Sequence, residues 1–178
     1  MEKNVEMRRL VGRLLSERIK EYLSEDPMGL LPIPRLHPPA DREQIAALER
    51  RAGQPLEPHY RKFVSLTDGV DAFYLDMPIF GCKDWQEGGR AADALWFLEV
   101  LQECGTPVDV GLPEDIGLFP VSVNADRSEG IFMLNSMDVL PERFWWIGEG
   151  SSSFFNTLAD LLGYAMDPRS YSPRETVD

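Results

Sequence analysis

Asp68, Asp71 and Asp76 stand close together in "DGVDAFYLD". Grouped carboxylates can move protons or hold a divalent cation. Their spacing is not that of a calcium loop, and a solvated acidic loop is the favoured account of them. Nucleophilic catalysis of the Ser-His-Asp kind needs a histidine at hand. The chain has two: His37 lies in a proline-rich stretch and His59 at a helix start. Neither belongs to an HxH, HExxH or Cys/His cluster of metal-ligand spacing. No GxSxG elbow, Walker-type loop or dinucleotide fingerprint occurs. "GEGSSSF" offers N–H groups and hydroxyls that can bind an anion or simply cap a helix. Cys82 and Cys104 are too few for a disulfide framework, and both read as buried thiols. The expectation is no catalytic residue, no cofactor and no metal. A hydrolase using the Asp68–Asp76 loop is the enzymatic rival, and the lack of histidines weighs against it.

The distribution of charge says more. The net charge is −12 over 178 residues. From Asp68 to Asp160, four basic residues (Lys83, Arg90, Arg127 and Arg143) face seventeen acidic ones, a net −13. Phosphate binding relies on Lys and Arg, so this part of the chain repels nucleic acid. It draws a basic protein and speeds the encounter, or it only keeps the chain soluble. The candidate partner-binding residues are Asp68, Asp71, Asp76, Asp84 and Glu87, with Trp85 in "GCKDWQEGG" as an apolar anchor. In "RFWWIGEG", strand alternation sends Phe144 and Trp146 to one face and Trp145 and Ile147 to the other. Either helices cover both faces, or one shows an aromatic patch to a partner.

The elements that must position these residues follow from periodicity and punctuation. Leu10, Val11, Leu14, Leu15, Ile19, Tyr22 and Leu23 form a helical stripe over Met7–Leu23. Five prolines between Pro27 and Pro39 make an extended connector, whose Leu30, Leu31, Ile33 and Leu36 have apolar surface to bury. Asp41 with Gln44 forms a capping box for a second helix, and Gly53 ends it. Pro58 suits the first turn of a third helix, with Tyr60, Phe63 and Val64 inward and Gly69 as its stop. Strand signals follow in "AFYLDMPIFG", then a helix from about Arg90 to Glu103, then strands in "LFPVSVN", "GIFMLN" and "RFWWIGEG". "TPVDVGLPEDIG" reads as a turn-rich loop. "SSSFFNTLADLLGYAMD" reads as a closing helix capped by Ser151 to Ser153, with a frayed tail from Pro168. Strands clustered between helices suggest an α+β domain with a mainly antiparallel sheet. No apolar run nears the ~20 residues of a membrane span. The charged start lacks a signal peptide's apolar stretch, so the cytoplasm is the expected location.

"ADREQIAALERRAGQPLEPHYRKFVSLTDG" resembles the start of the Smi/Knr family of the SUKH superfamily. Ile45, Leu48, Glu49, Gly53, Leu56, Pro58, Tyr60, Phe63, Asp68 and Gly69 carry the likeness. "LFPVSVNADRSEGIFMLN" resembles the family's strand pair, with "RSEG" in place of the usual Gly-Asp, and "SSSFFNTLADLL" resembles its closing helix. The likeness covers roughly Leu36 to Asp167. It implies a SUKH-like α+β domain over 36–167, a mixed, mainly antiparallel sheet edged by helices. An extra N-terminal helix and connector would occupy 1–35, and a flexible tail 168–178. It also implies a non-enzymatic protein-binding role. Many bacterial members are immunity proteins of polymorphic toxin systems, which neutralise toxin domains that are often nucleases. Fungal members regulate cell-wall synthesis, so an intracellular scaffold or regulator with a non-toxin partner is the alternative. No catalytic residue is carried over.

Overall fold

The structure, a computed structural model, describes residues 2–26, 28–135 and 140–177. Its elements are α1 (Glu2–Glu25), β1 (Arg35–Leu36), α2 (Arg42–Ala52), α3 (Pro58–Leu66), β2 (Gly69–Tyr74), β3 (Met77–Phe80), a 3₁₀ turn (Cys82–Trp85), α4 (Ala91–Glu103) and α5 (Thr106–Asp109). β4 (Leu118–Val123), β5 (Glu129–Leu134), β6 (Phe144–Gly148), β7 (Ser151–Phe155), α6 (Leu158–Met166) and a second 3₁₀ turn (Pro168–Ser170) complete it. The fold is α+β. The expected mixed sheet resolves into two: β1-β2-β3 and β4-β5-β6-β7, each antiparallel throughout. β3 lies beside β4, and the backbone N–H of Ala125 donates to Asp76 Oδ2 across the seam at 3.1 Å.

The elbow between α2 and α3 forms as its residues dictate. Asp41 Oδ1 accepts from Gln44 N, and Gln44 Oε1 accepts from Asp41 N, both at 2.8 Å. Gly53 ends α2 with φ +66, a left-handed conformation that costs glycine little. Pro58 opens α3, but the residue that holds the elbow is Glu57. It is buried, and its two carboxylate oxygens accept from His59 N, His59 Nδ1 and Tyr60 N of α3 and from Leu158 N of α6. One carboxylate therefore satisfies the orphan N–H groups of two helix starts and sits at the positive end of both dipoles. Gly69 must be glycine, since a Cβ there would lie 2.8 Å from the Ile79 carbonyl oxygen. Thr67 supplies the C-cap of α3.

Both faces of the β4–β7 sheet are covered. Phe144, Trp146 and Phe155 pack into one core with α1, α3 and α6. Trp145, Phe154 and Phe132 pack into a second with Phe97, Leu98 and Leu101 of α4. The β6 alternation is thus real, and neither face is left as an aromatic patch. On α1, Met7, Val11, Leu14 and Arg18 make the buried line, while Ile19 and Leu23 of the expected stripe stay exposed.

Five expectations are corrected. Ser151–Ser153 do not cap a helix; they belong to β7, joined to β6 by the two-residue turn Glu149–Gly150. Both turn residues have positive φ, +46 and +77, as the tight hairpin turn that matches strand twist requires. The helix start passes to Thr157, whose Oγ1 accepts from Asp160 N. The "TPVDVGLPEDIG" segment contains α5. Cys104 is exposed; only Cys82 is buried. The tail is tied down rather than frayed. Phe154 N donates to Arg174 O, Arg174 pairs with Glu142 at 2.7 Å, and Val177 is buried. The connector pairs with β2 through Arg35 and Leu36, yet Leu30, Leu31, Ile33 and Leu36 remain exposed.

Candidate functional site

The residues singled out by sequence have divided fates. Asp68 is buried, and its carboxylate accepts from the backbone N–H groups of Cys82 and Lys83, capping the first 3₁₀ turn. Gly81 makes that approach possible, because a Cβ there would stand 2.2 Å from the Asp68 backbone. Asp84 is buried as well. It accepts from Gly81 N at 2.8 Å, Arg90 Nε at 2.7 Å and Lys83 Nζ at 3.1 Å. Trp85 stacks on Phe119 at 4.4 Å between centroids, with the Arg51 guanidinium 5.6 Å from its ring. It is a packing residue, half-buried. Glu87 is exposed, while Asp71 and Asp76 are half-buried.

Asp71, Asp76 and Asp84 do come together. They line a cleft of about 880 Å³ with Arg35, Lys83 and Arg90. A bulge in β2 places Asp71: Val70 pairs Ile79 and Tyr74 pairs Met77, so extra residues loop out, with Ala72 left-handed at φ +53. Asp71 then meets His37 Nε2 at 3.0 Å and an Arg90 guanidinium nitrogen at 3.0 Å. Burial pushes its pKa up, but Arg90, His37 and Lys83 together outweigh that and hold it below the ordinary carboxylate value. At neutral pH such a carboxylate has no proton to give, and the bound cations blunt it as a base. The cleft is a charge-balanced seam, not an acidic patch. Among the described residues no group of three or more His, Cys, Asp or Glu side chains could hold a metal ion.

The exposed negative charge lies elsewhere. On α4 the buried line is Ala91, Ala94, Phe97, Leu98 and Leu101. The opposite side presents Leu95, Trp96, Glu99 and Glu103, and helical spacing puts these on one outward face. Val108 and Asp109 of α5, then Glu114 and Asp115 of the next loop, are exposed beyond it. Leu95, Trp96 and Val108 are 46%, 47% and 50% exposed, and Glu99 and Glu103 share the helix face of the first two. One basic side chain marks the edge: Arg127 reaches 4.5 Å from the Trp96 ring centroid and 3.7 Å from Asp93. The sequence places Trp96 within the expected Arg90–Glu103 helix without marking it as a candidate. The signal was its helical position, two residues from Ala94 and two from Leu98, off the buried line.

Comparison with known proteins finds no matching family model, no similar curated protein and no similar solved structure. No helix among the described residues is long and apolar enough to cross a membrane.

Proposed function

We propose that this chain is a cytoplasmic, non-enzymatic binding protein that captures a basic protein domain on the outward face of α4 and α5. The observation that carries the reading is the exposure of Leu95 and Trp96 on the α4 face that also presents Glu99 and Glu103, followed along the chain by exposed Val108, Asp109, Glu114 and Asp115. An exposed aromatic anchor gives affinity when a partner desolvates it, and like-signed charges around it speed encounter with an oppositely charged surface. The cleft carboxylates support the same reading from the other side. Asp68 and Asp84 are engaged in holding the 3₁₀ turn, and Asp71 in an ion network, so they serve the scaffold. The resemblance of Ala40–Gly69 to the Smi/Knr pattern favours an immunity protein, whose partner is a toxin domain.

The test is co-expression with the polypeptide encoded beside this gene. Rescue of growth by the wild-type chain, lost with Trp96→Ala in a folded protein, supports the immunity reading. A harmless neighbour that does not bind turns the proposal towards an intracellular regulator with another partner. Rescue by Trp96→Ala equal to wild type would remove the α4–α5 face from it.

A further inference from the structure

We propose that the cavity between the end of β2, β6, β7 and α6 is a binding site for an organic ammonium group. The cavity measures about 200 Å³ and is lined chiefly by Tyr74, Glu129, Trp146, Ser151, Ser153 and Tyr164. Its three rings do not stack. Trp146 meets Tyr74 at 80° and 5.3 Å, and Tyr164 at 81° and 6.5 Å. They pack edge to face, and where a ring face borders the cavity it attracts a cation through its quadrupole.

Glu129 adds a fixed charge to that wall. Its Oε1 accepts from the Trp146 indole N–H at 2.6 Å, which orients both groups. Among the described residues it forms no ion pair with Lys or Arg, and the charges that act on it are Glu149, Asp76 and Asp126, all acidic. Burial first, then these like charges, push its pKa above the ordinary carboxylate value. Arg18 is the basic group on this side, 5.7 Å from the Tyr74 ring centroid. It is already engaged, with Glu21 at 2.7 Å and the Ala165 carbonyl at 3.2 Å. The sheet makes room for the carboxylate: a Cβ on Gly148 would stand 2.5 Å from Glu129 Cγ. A half-buried carboxylate with no cation, beside three ring walls and an open volume, is the chemistry that takes up an alkylammonium. This inference stands apart from the α4–α5 reading, and either can fail alone.

The experiment follows the Trp146 indole N–H by NMR in the full chain, assigned as the one of four tryptophan signals lost in Trp146→Phe. Choline is titrated against 3,3-dimethylbutan-1-ol, its uncharged isostere, and Nα-acetyl-lysine methylamide tests a primary ammonium. A saturable shift with either cation and none with the alcohol is expected. Glu129→Gln, which keeps an acceptor for the indole, should weaken that binding roughly tenfold. An equal response to the alcohol, no saturable response to either cation, or unchanged affinity in Glu129→Gln would overturn the proposal.

Discussion

One guanidinium joins two carboxylates from separate elements: Arg90 stands 3.0 Å from Asp71 of the β2 bulge and 2.7 Å from Asp84 of the 3₁₀ turn. With His37 on Asp71 and Lys83 on Asp84, the chain of charges ties the connector, the bulge and the start of α4 together. This is why Asp71 and Asp84 do not present bare charge to solvent, unlike the exposed carboxylates of α4 and α5.

Removing Arg90 should therefore cost stability. Arg90→Ala leaves the buried Asp84 with Lys83 as its remaining cation and is expected to cost about 2 kcal/mol in urea unfolding. The pH dependence follows from Asp71. Its folded pKa lies below the unfolded value, so its contribution is present above about pH 4 and is lost as pH falls through the folded pKa. Arg90→Ala should flatten that acid limb. An unchanged midpoint at neutral pH, with the same acid limb, would remove the network from the account of stability.

Glu57 should be among the most sensitive positions in the chain. Glu57→Ala strips N–H acceptors from the starts of both α3 and α6 in a buried place, and about 3 kcal/mol of destabilisation is expected by denaturant titration. A cost below about 1 kcal/mol would mean that other groups cap both helices.

Glu129 predicts the opposite sign. Its folded pKa is raised, so stability falls as pH rises from the unfolded carboxylate value through the folded one. Glu129→Gln should be more stable than wild type at neutral pH, and the difference should vanish in acid. Thermal melts across that range measure it. A neutral-pH loss would show that the charge is already compensated in the fold.

The two thiols should separate cleanly. Burial first, then Asp68, pushes the Cys82 thiol up to about 12, whereas Cys104 is exposed. A thiol reagent at neutral pH should label Cys104 within minutes and Cys82 only on unfolding. Simultaneous labelling of both would contradict the burial of Cys82.

Local chemistry made part of this fold legible. Asp41 and Gln44, Gly53 and Pro58 each have a single strong backbone use, and each performs it. The period of two in "RFWWI" sorted four side chains between two cores. Where residues have two uses, the sequence misled. Serines cap helices, but Ser151–Ser153 pair with β6, because the turn that decides it was written Glu-Gly rather than Asn-Gly. The carboxylates show the same limit. Whether Asp68 faces solvent depends on N–H groups fourteen and fifteen residues away, which only the folded chain brings to it. Trp85 is covered by Phe119, whereas Trp96, which no motif marked, stands exposed beneath Arg127.

The most direct test is the association rate of the wild-type chain with the basic polypeptide encoded beside its gene, set against the variant Glu99→Lys, Glu103→Lys, Asp109→Lys. All three positions are exposed, so the variant should fold with a stability change within about 1 kcal/mol. If α4 and α5 form the docking face, the variant associates at least about tenfold more slowly at low salt, and its rate loses the steep salt dependence of the wild type. Equal rates and equal salt dependence in a folded variant would contradict the central claim.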